Sequence, residues 1–369
     1  ERPMWFSKDE KNKDYKYSYN YQNWYPSAEF ETKNARLNVG LFELSPFSKF
    51  DLKGEKAHEE LQILCTANIP NEPGKIKYTQ MLNADGGIET DLTVICIEKN
   101  YFRIVSSAAN REHDKFHILK HISKDVKLTD VTEDYCCLGL FGPKSRDMIS
   151  SISSDDFSNE NFKFATAKFV KINDVEVWAQ RISYVGELGF ELYVKKENAL
   201  KLFDILIDKG KTYKISLCGM HAMDIMRMES GYLHWGHDIS PEENQFEAGL
   251  NFAVSFKKNI NFIGRAALEK KRDKKDHKKF KMLILNHSKE GAPLLLHDEP
   301  IYLKDKIVGR TTSGCYSFNY NKNLAFGYIN SGLTSDQIDK QAFEIEVEKK
   351  KYPASVITRP LNDKKLSSL

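Results

Sequence analysis

Two carboxylates of this 369-residue chain stand in strand-like apolar runs, Asp91 at the start of DLTVICI and Glu191 within GFELYV. Aspartate is a poor strand residue, and a buried carboxylate without a partner is costly. We therefore expect each of them to be hydrogen-bonded, paired or turned toward a cleft. Glu191 alternates with Phe190 and Leu192, which predicts that it faces the opposite side of its strand. The simpler alternatives are a turn-capping Asp91 and a surface-facing Glu191.

A second group of candidate functional residues lies in the segment CGMHAMDIMRMESGYLHWGHDI (218–239). Asp224 and Arg227 are three residues apart and can pair across one helical turn. An arginine in so apolar a stretch needs a partner, which is either Glu229 or an anion. The methionines of this segment are predicted to belong to the core. A cleft-facing acid such as Glu191 suits a ligand that is rich in N–H donors, for example an aminopyrimidine.

Composition and missing motifs exclude several classes of protein. Lys plus Arg is 55 and Asp plus Glu is 52, a net charge of +3, which argues against a dedicated nucleic-acid binder. No run approaches the roughly 20 apolar residues of a membrane helix. The chain has no G-x-G-x-x-G after a strand, no Walker loop and no G-x-S-x-G. The six cysteines form no C-x-x-C pair, and free thiols in a reducing compartment fit them.

Three histidines form the one pattern that suggests a metal. His113, His117 and His121 are spaced four residues apart and share one face of a predicted helix, so a metal site is conceivable. No cysteine or carboxylate cluster completes a ligand set, and a solvated helix face is the simpler interpretation. We predict no metal.

The hydrophobic pattern divides the chain into three parts of an α+β protein. Residues 1–35 are rich in aromatic side chains and are predicted to form an extended arm. Residues 36–270 read as an α/β core, in which strands at 78–83 and 92–97 form a hairpin. Residues 280–369 read as a small β-barrel made of short strands. Helices are predicted over 55–67, 111–122, 143–152, 198–209 and 218–229.

Taken in order, the motifs resemble those of a known family. LNADGGIETDL, GELGFELYV, RMESGY, FEAGL, NFIGRAAL and VGRTTSG are similar to segments of the folate-binding aminomethyltransferases, whose simplest member is the glycine cleavage T-protein. ERPMWF, LSPFSKF, TTSGCYS, LAFGYI and KYPASVITRPL are closer to the C-terminal half of dimethylglycine dehydrogenase and sarcosine dehydrogenase. The resemblance implies a three-lobed T-protein-like fold with two interleaved α/β subdomains and a C-terminal β-barrel.

The resemblance also implies an activity. It implies a tetrahydrofolate-dependent one-carbon transferase that captures the methylene or iminium product of dimethylglycine or sarcosine oxidation as 5,10-methylenetetrahydrofolate. Asp91 is implied as the catalytic carboxylate. The residues implied to bind the folate are Thr93, Tyr184, Glu187, Glu191, Arg227, Tyr78 and Met81. Glu187 is the weaker candidate and is expected to fix its loop. In the T-protein a second acidic residue usually precedes the catalytic one, whereas here Thr90 does.

Partners and location follow from the same resemblance. Since no dinucleotide fingerprint is present, FAD is expected only in a separate or missing N-terminal module, and the start at Glu1 fits a cut near that module. We expect a small methylamine-derived substrate, no nucleic acid or membrane partner, and a cytoplasmic location, or the mitochondrial matrix in a eukaryote. Two alternatives stay open: a non-catalytic regulatory subunit of pyruvate dehydrogenase phosphatase type, and a stand-alone folate-dependent demethylase of a sulfonium or quaternary amine.

Overall fold

The computed structural model of this chain describes residues 3–7, 13–272, 274, 277–287 and 289–369. The helices are α1 (Tyr25–Leu37), α2 (Ala57–Leu64), α3 (Arg111–His121), α4 (Ser145–Ser150), α5 (Ala199–Gly210), α6 (Met220–Glu229), α7 (Arg265–Arg272) and α8 (Ser335–Ile338). The strands of the N-terminal two thirds are β1 (Val39–Glu43), β2 (Ser48–Lys53), β3 (Ile76–Leu82), β4 (Ile88–Glu98), β5 (Tyr101–Ser106), β6 (Lys127–Asp130), β7 (Tyr135–Phe141), β8 (Ala167–Ile172), β9 (Val175–Gln180), β10 (Gly189–Lys195) and β11 (Ile215–Cys218). The strands that follow are β12 (Lys279–Leu285), β13 (Pro300–Leu303), β14 (Lys306–Ser317), β15 (Lys322–Ile329), β16 (Ala342–Val347) and β17 (Lys350–Ile357). Within these ranges, no helix has the length and apolar character needed to cross a membrane.

The first sheet has six strands in the order β11-β1-β7-β10-β9-β8. β1 and β11 run parallel, and the other pairs are antiparallel. Leu202 and Leu206 lie one turn apart on α5 and are both buried against Phe190 and Leu192 of β10. This face of the sheet is therefore covered by a helix, and Glu191 must point to the other face.

The second sheet has the order β3-β4-β5-β2-β6 and is antiparallel throughout. Its strands come between β1 and β7 in the sequence, so it is an insertion into the first sheet. Leu61 of α2 and Ile118 of α3 pack on one face, in a cluster with Leu92 of β4. On the other face, Ile95 of β4 shares a buried cluster with Tyr193 of β10. We call this contact region, lined by Ile95 and Tyr193 and the residues that face the same way, the inter-sheet layer.

The C-terminal strands close into a barrel in the order β12-β15-β14-β13-β16-β17, which confirms the predicted β-barrel. Ile301, Phe343 and Ile345 contribute to its buried centre. Two strands differ from the sequence-based prediction. β14 has 12 residues and is therefore longer than the short strands predicted for this barrel, because it continues through a hairpin with β15. β17 contains Pro353, which argues against a strand, yet it pairs with both β12 and β16.

The prediction of an extended arm over residues 1–35 is wrong for its last third, where α1 begins at Tyr25. The buried face of α1 combines apolar side chains with Glu31 and Thr32, so the apolar periodicity is broken at two positions. Glu31 is 1% exposed and accepts hydrogen bonds from the backbone N–H groups of Phe6 (2.6 Å) and Gly219 (2.8 Å). Burial raises the pKa of Glu31 to about 7.

Residues 3–7 complete the N-terminus of α6. The first N–H groups of that helix, at Met220 and His221, donate to the carbonyls of Pro3 (2.9 Å) and Met4 (3.1 Å). These are the donors that a helix leaves without an intrahelical partner. Gly219 lies against this segment, since a Cβ built on it would come within 2.4 Å of the Met4 carbonyl oxygen. The N-terminal segment is thus a cap for the helix that carries Asp224 and Arg227.

Gly219→Ala is expected to displace residues 3–7 while α6 stays folded. The backbone of Gly219 is extended (φ −89°, ψ −176°), which alanine adopts freely, so the clash with Met4 is the main cost. We expect a loss of about 1–3 kcal/mol in the free energy of unfolding and faster hydrogen exchange in the terminal peptide. Deleting residues 1–7 provides the control. If the deletion destabilised Gly219→Ala as much as wild type, the two changes would be independent and the assignment of the clash would be wrong.

Candidate functional site

Asp91 lies on the face of β4 that looks into the inter-sheet layer. Leu92 packs toward the helices and Ile95 toward the first sheet, so the alternation of the strand puts Asp91 and Thr93 on the side of Ile95. Gln80, directly opposite on β3, donates a hydrogen bond from Nε2 to Asp91 Oδ1 (2.8 Å). This partner is a side chain across the strands, and a turn-capping role for Asp91 is therefore wrong.

The Asp91 carboxyl is half-buried, and burial raises its pKa to about 6. Hydrogen bonds from Gln80 and Tyr78 act in the opposite direction and favour the ionised form. Near neutral pH, Asp91 is thus a carboxylate in a partly desolvated setting. Charge at such a position interacts strongly with a neighbouring cation, because little water screens it.

The other residues predicted on the hairpin divide between its two faces. Tyr78 is opposite Thr93 in the register and shares the face of Asp91, with its ring centroid 6.1 Å from that of Phe252. Met81 is fully buried in the cluster beneath α2, on the other side of the sheet. The structure brings Tyr78 and Thr93 to the site and does not bring Met81 there.

Glu191 points into the inter-sheet layer from the opposite side. It accepts a hydrogen bond at Oε2 from the Tyr193 hydroxyl (2.8 Å). Burial raises the pKa of Glu191 to about 7, while Tyr193 and the nearby Lys49 ammonium oppose the rise. Tyr193, on the same face of β10, is buried in the cluster shared with the second sheet, and a surface-facing position for Glu191 is therefore wrong. Asp91 and Glu191, which come from different sheets, face the same layer.

Tyr184 lies beside the β3–β4 hairpin that carries Asp91, and the segment that follows α6 holds its side chain. Its hydroxyl donates to the carbonyl of Leu233 (2.9 Å). Burial raises the pKa of Tyr184, and the charges of Arg227 and Asp91 act on it with opposite signs. Burial also raises the pKa of Tyr78, and Asp91 and Tyr184 add to that rise. Tyr184 is therefore a wall of the same site.

Arg227 is 1% exposed and its guanidinium is engaged by the protein itself. It donates to Asp224 (2.8 Å), Asp238 (2.7 Å), the Tyr232 carbonyl (3.0 Å) and the Ser313 hydroxyl (2.8 Å). Burial lowers the pKa of Arg227, but the two carboxylates outweigh burial and raise it overall. Because Ser313 belongs to β14, these contacts join α6 to the barrel.

The predicted pair of Arg227 with Asp224 is present. Glu229, the other protein partner that the sequence suggested for Arg227, pairs with Arg36 instead (2.7 Å). Arg36 also holds Glu187 (3.0 Å), and Lys364 approaches the same carboxylate at 2.6 Å. Glu187 is 1% exposed and fixes its loop between these two cations. The structure does not bring Glu187 into the inter-sheet layer.

Two residues at the site were missed by sequence reasoning. Gln80 orients Asp91, and the alternation of Tyr78 and Gln80 in YTQML was the available signal. Lys49 is fully buried and donates to the carbonyls of Ser45 and Phe47 (2.7 Å each). A lysine next to Phe50, between the two phenylalanines of the segment FSKFDL, was the signal for it.

The histidine face of α3 is only partly solvated. His117 is 9% exposed, and burial lowers its pKa to about 4. His113 Nε2 lies 3.0 Å from Glu89. In the described part of the chain, no three His, Cys, Asp or Glu side chains come together as metal ligands.

The two facing sheets with carboxylates between them, followed by a closed barrel, define the class of the protein. The profile of the GCVT N-terminal domain matches residues 1–258, and that of the glycine cleavage T-protein C-terminal barrel domain matches residues 278–363. The chain belongs to the glycine cleavage T-protein family, as the resemblance predicted.

Known proteins agree with this assignment. 4-Methylaminobutanoate oxidase (formaldehyde-forming) of Paenarthrobacter nicotinovorans is 35% identical over 99% of this chain and 44% of its own length. Mitochondrial dimethylglycine dehydrogenase of Rattus norvegicus is 32% identical over 98% of this chain and 42% of its own length. The chain thus spans less than half the length of these relatives. The glycine cleavage system aminomethyltransferase T of Bartonella henselae superposes with a TM-score of 0.81 at 20% identity, covering 95% of this chain and 94% of that one, and confirms the fold.

Proposed function

We propose that this chain binds tetrahydrofolate in the inter-sheet layer and uses Asp91 to assist one-carbon transfer. The reaction would capture the methylene or iminium product of dimethylglycine or sarcosine type oxidation as 5,10-methylenetetrahydrofolate. The observation that carries the proposal is the placement of Asp91 and Glu191, which face one layer from two different sheets with raised pKa values. Kinship with dimethylglycine dehydrogenase supports the choice of donor.

The residues of this layer fit a reduced folate. Its aminopyrimidine edge carries several N–H donors, and an ionised glutamate is an acceptor with room for more than one of them. Among the described residues, the Glu191 carboxyl accepts its hydrogen bond from Tyr193 at Oε2, which leaves Oε1 for a ligand. Tyr78 and Tyr184 provide aromatic ring surface beside Asp91, on the other side of the layer.

Asp91 supplies the charge that the transfer needs. Tetrahydrofolate contributes the two amine nitrogens that take up the carbon unit. The ionised Asp91 stabilises a cationic one-carbon donor electrostatically, and it can also accept a proton from the amine that attacks. As the carbon becomes bonded to both folate nitrogens, its bond to the donor nitrogen breaks, and the two protons that the folate nitrogens lose depart on the released amine in its ammonium form. Gln80 holds the carboxylate in one orientation through its 2.8 Å hydrogen bond, so this group is positioned before the substrate binds.

The partners are proposed from the same relatives. We infer that an FAD-dependent dehydrogenase module or subunit delivers the methylamine-derived substrate, because the longer relatives have more than half of their length outside the matched part. We propose a cytoplasmic location, or the mitochondrial matrix if the source is a eukaryote.

Titration calorimetry with tetrahydrofolate under anaerobic conditions tests the proposal. We expect affinity to rise about tenfold between pH 6 and pH 8, because a carboxyl with a pKa of about 7 is mostly protonated at the lower value and mostly ionised at the higher. Glu191→Gln should bind more weakly and lose most of this pH dependence. Absence of binding in both wild type and Asp91→Asn would refute the proposal. Binding of a protein partner without folate would favour the regulatory alternative, and turnover of a sulfonium without any flavin would favour the demethylase.

The matched control is Glu187→Gln. Glu187 is held by Arg36 and Lys364 away from the layer, so this variant should lose stability and keep its affinity and pH profile. If Glu187→Gln changed affinity as much as Glu191→Gln, the ligand site would include the loop that Glu187 fixes.

A further inference from the structure

Gln180, at the end of β9, has an unusual environment for a polar side chain. It is 0% exposed, and within the described part of the chain neither its Nε2 nor its Oε1 has a hydrogen-bond partner. A buried amide normally finds partners for its donors and acceptor, and leaving them unpaired costs stability. The position therefore calls for a partner that the protein does not itself provide.

The register of the first sheet shows what Gln180 lies beside. Gln180 is directly opposite Glu191 on β10, and residues paired in this way project from the same face with neighbouring Cβ atoms. Trp178 is two residues earlier on the same face, opposite Tyr193. Among the described residues, its indole N–H also lacks a partner. Gln180, Trp178 and Glu191 thus form a polar patch on the inter-sheet face of the first sheet.

The three side chains of this patch offer both hydrogen-bond donors and hydrogen-bond acceptors. An ionised glutamate can only accept hydrogen bonds, an indole N–H can only donate, and a carboxamide does both. A ring whose edge carries amino, N–H and carbonyl groups side by side requires both kinds of partner. A purely cationic ligand would be served by the carboxylate alone and would leave the amide and indole N–H groups unpaired.

We propose that Gln180 recognises the ligand by forming hydrogen bonds with the carbonyl and N–H edge of its aminopyrimidine ring, beside Glu191. This rests on the proposed function, because it takes the folate ring as the ligand of the inter-sheet layer. In the free protein the unpaired amide of Gln180 lowers stability. When the ligand binds, it supplies the hydrogen-bond partners that this amide lacks. Glu191 then accepts hydrogen bonds from the N–H donors of the ring. Gln180 selects a ring whose edge carries a carbonyl group beside an N–H group.

Gln180→Met tests this assignment, because methionine has nearly the same length and no strong polar atom. We expect tetrahydrofolate affinity to fall about tenfold, the equivalent of one net hydrogen bond to the ligand. The midpoint of urea unfolding of the free protein should stay the same or rise, because an unsatisfied amide has been removed. A merely structural glutamine would not combine a loss of affinity with unchanged stability.

Gln62→Met is the matched control. Gln62 is also buried, but its amide donates to the Ile69 carbonyl (2.8 Å) and accepts from the Ile69 N–H (3.3 Å). It should lose stability and keep tetrahydrofolate affinity, the reverse of Gln180→Met.

Three results would overturn the assignment. Unchanged affinity in Gln180→Met, with wild type binding normally, would overturn it while the proposed function stands. A loss of stability like that of Gln62→Met would mean that the amide is satisfied within the protein. Failure of wild type itself to bind tetrahydrofolate would refute the proposed function and this assignment with it.

Discussion

Asp91→Asn is expected to lower the rate of one-carbon transfer by about 10²–10⁴-fold while tetrahydrofolate affinity changes little. Asparagine keeps the shape and can still accept the hydrogen bond from Gln80, but it carries no charge to stabilise a cationic donor. Single-turnover formation of methylenetetrahydrofolate from a supplied iminium or formaldehyde measures the rate directly. Burial penalises the charged form of Asp91, so the variant should fold at least as stably as wild type near neutral pH.

The control for this prediction is Asp174→Asn, which removes a carboxylate that is 72% exposed and paired with Lys201 at the surface. It should leave the transfer rate unchanged. A rate in Asp91→Asn within a few fold of wild type would show that charge at this position does not drive the reaction. If Asp91→Asn lost tetrahydrofolate affinity as well as transfer rate, Asp91 would act in binding the folate and not in the one-carbon transfer step.

Arg227→Met should cost about 3–5 kcal/mol of folding free energy, because it leaves the fully buried Asp238 without its cation. Asp238 also accepts from Thr312 (2.5 Å) and Ser313 (2.8 Å) of β14, so the loss should weaken the contact between α6 and the barrel. Urea unfolding measures the loss, and separate transitions for core and barrel would report the weakened contact.

The double variant Arg227→Met/Asp238→Asn separates charge from packing. It should recover part of the lost stability, because the uncompensated charge is gone. If Arg227→Met kept full stability and lost tetrahydrofolate affinity, Arg227 would be a ligand donor, as the family resemblance implies, and its protein contacts would be secondary.

The sequence predicted the parts of the site that depend on strand alternation. Glu191 alternates with two core residues, so its face could be read without a structure. Met81 was misassigned, because proximity to Asp91 in a hairpin does not say which face a residue occupies. Gln180 could not be found, since its importance comes from the register of β9 against β10, which no local pattern encodes.

Long-range partners explain the remaining differences. Arg227 pairs with Asp224, which its spacing predicted, but it also reaches Asp238 and Ser313. Ser313 is 86 residues away, and no local pattern indicates that contact. The helix at Tyr25 was missed because Glu31 faces the core, where it accepts from a backbone N–H that is 188 residues away. Elements with local signals, such as α3 and α5, are predicted within one residue of their observed bounds.

The insertion of the second sheet into the first sets an order for folding during synthesis. The strands of the second sheet lie within residues 48–130, whereas β1 of the first sheet must wait for β11, which ends at Cys218. Because chains emerge from the ribosome N-terminus first, we expect the hairpin that bears Asp91 to be in place before β10 and Glu191 have been made. The ligand site is then assembled late, when the first sheet closes over a second sheet that is already formed.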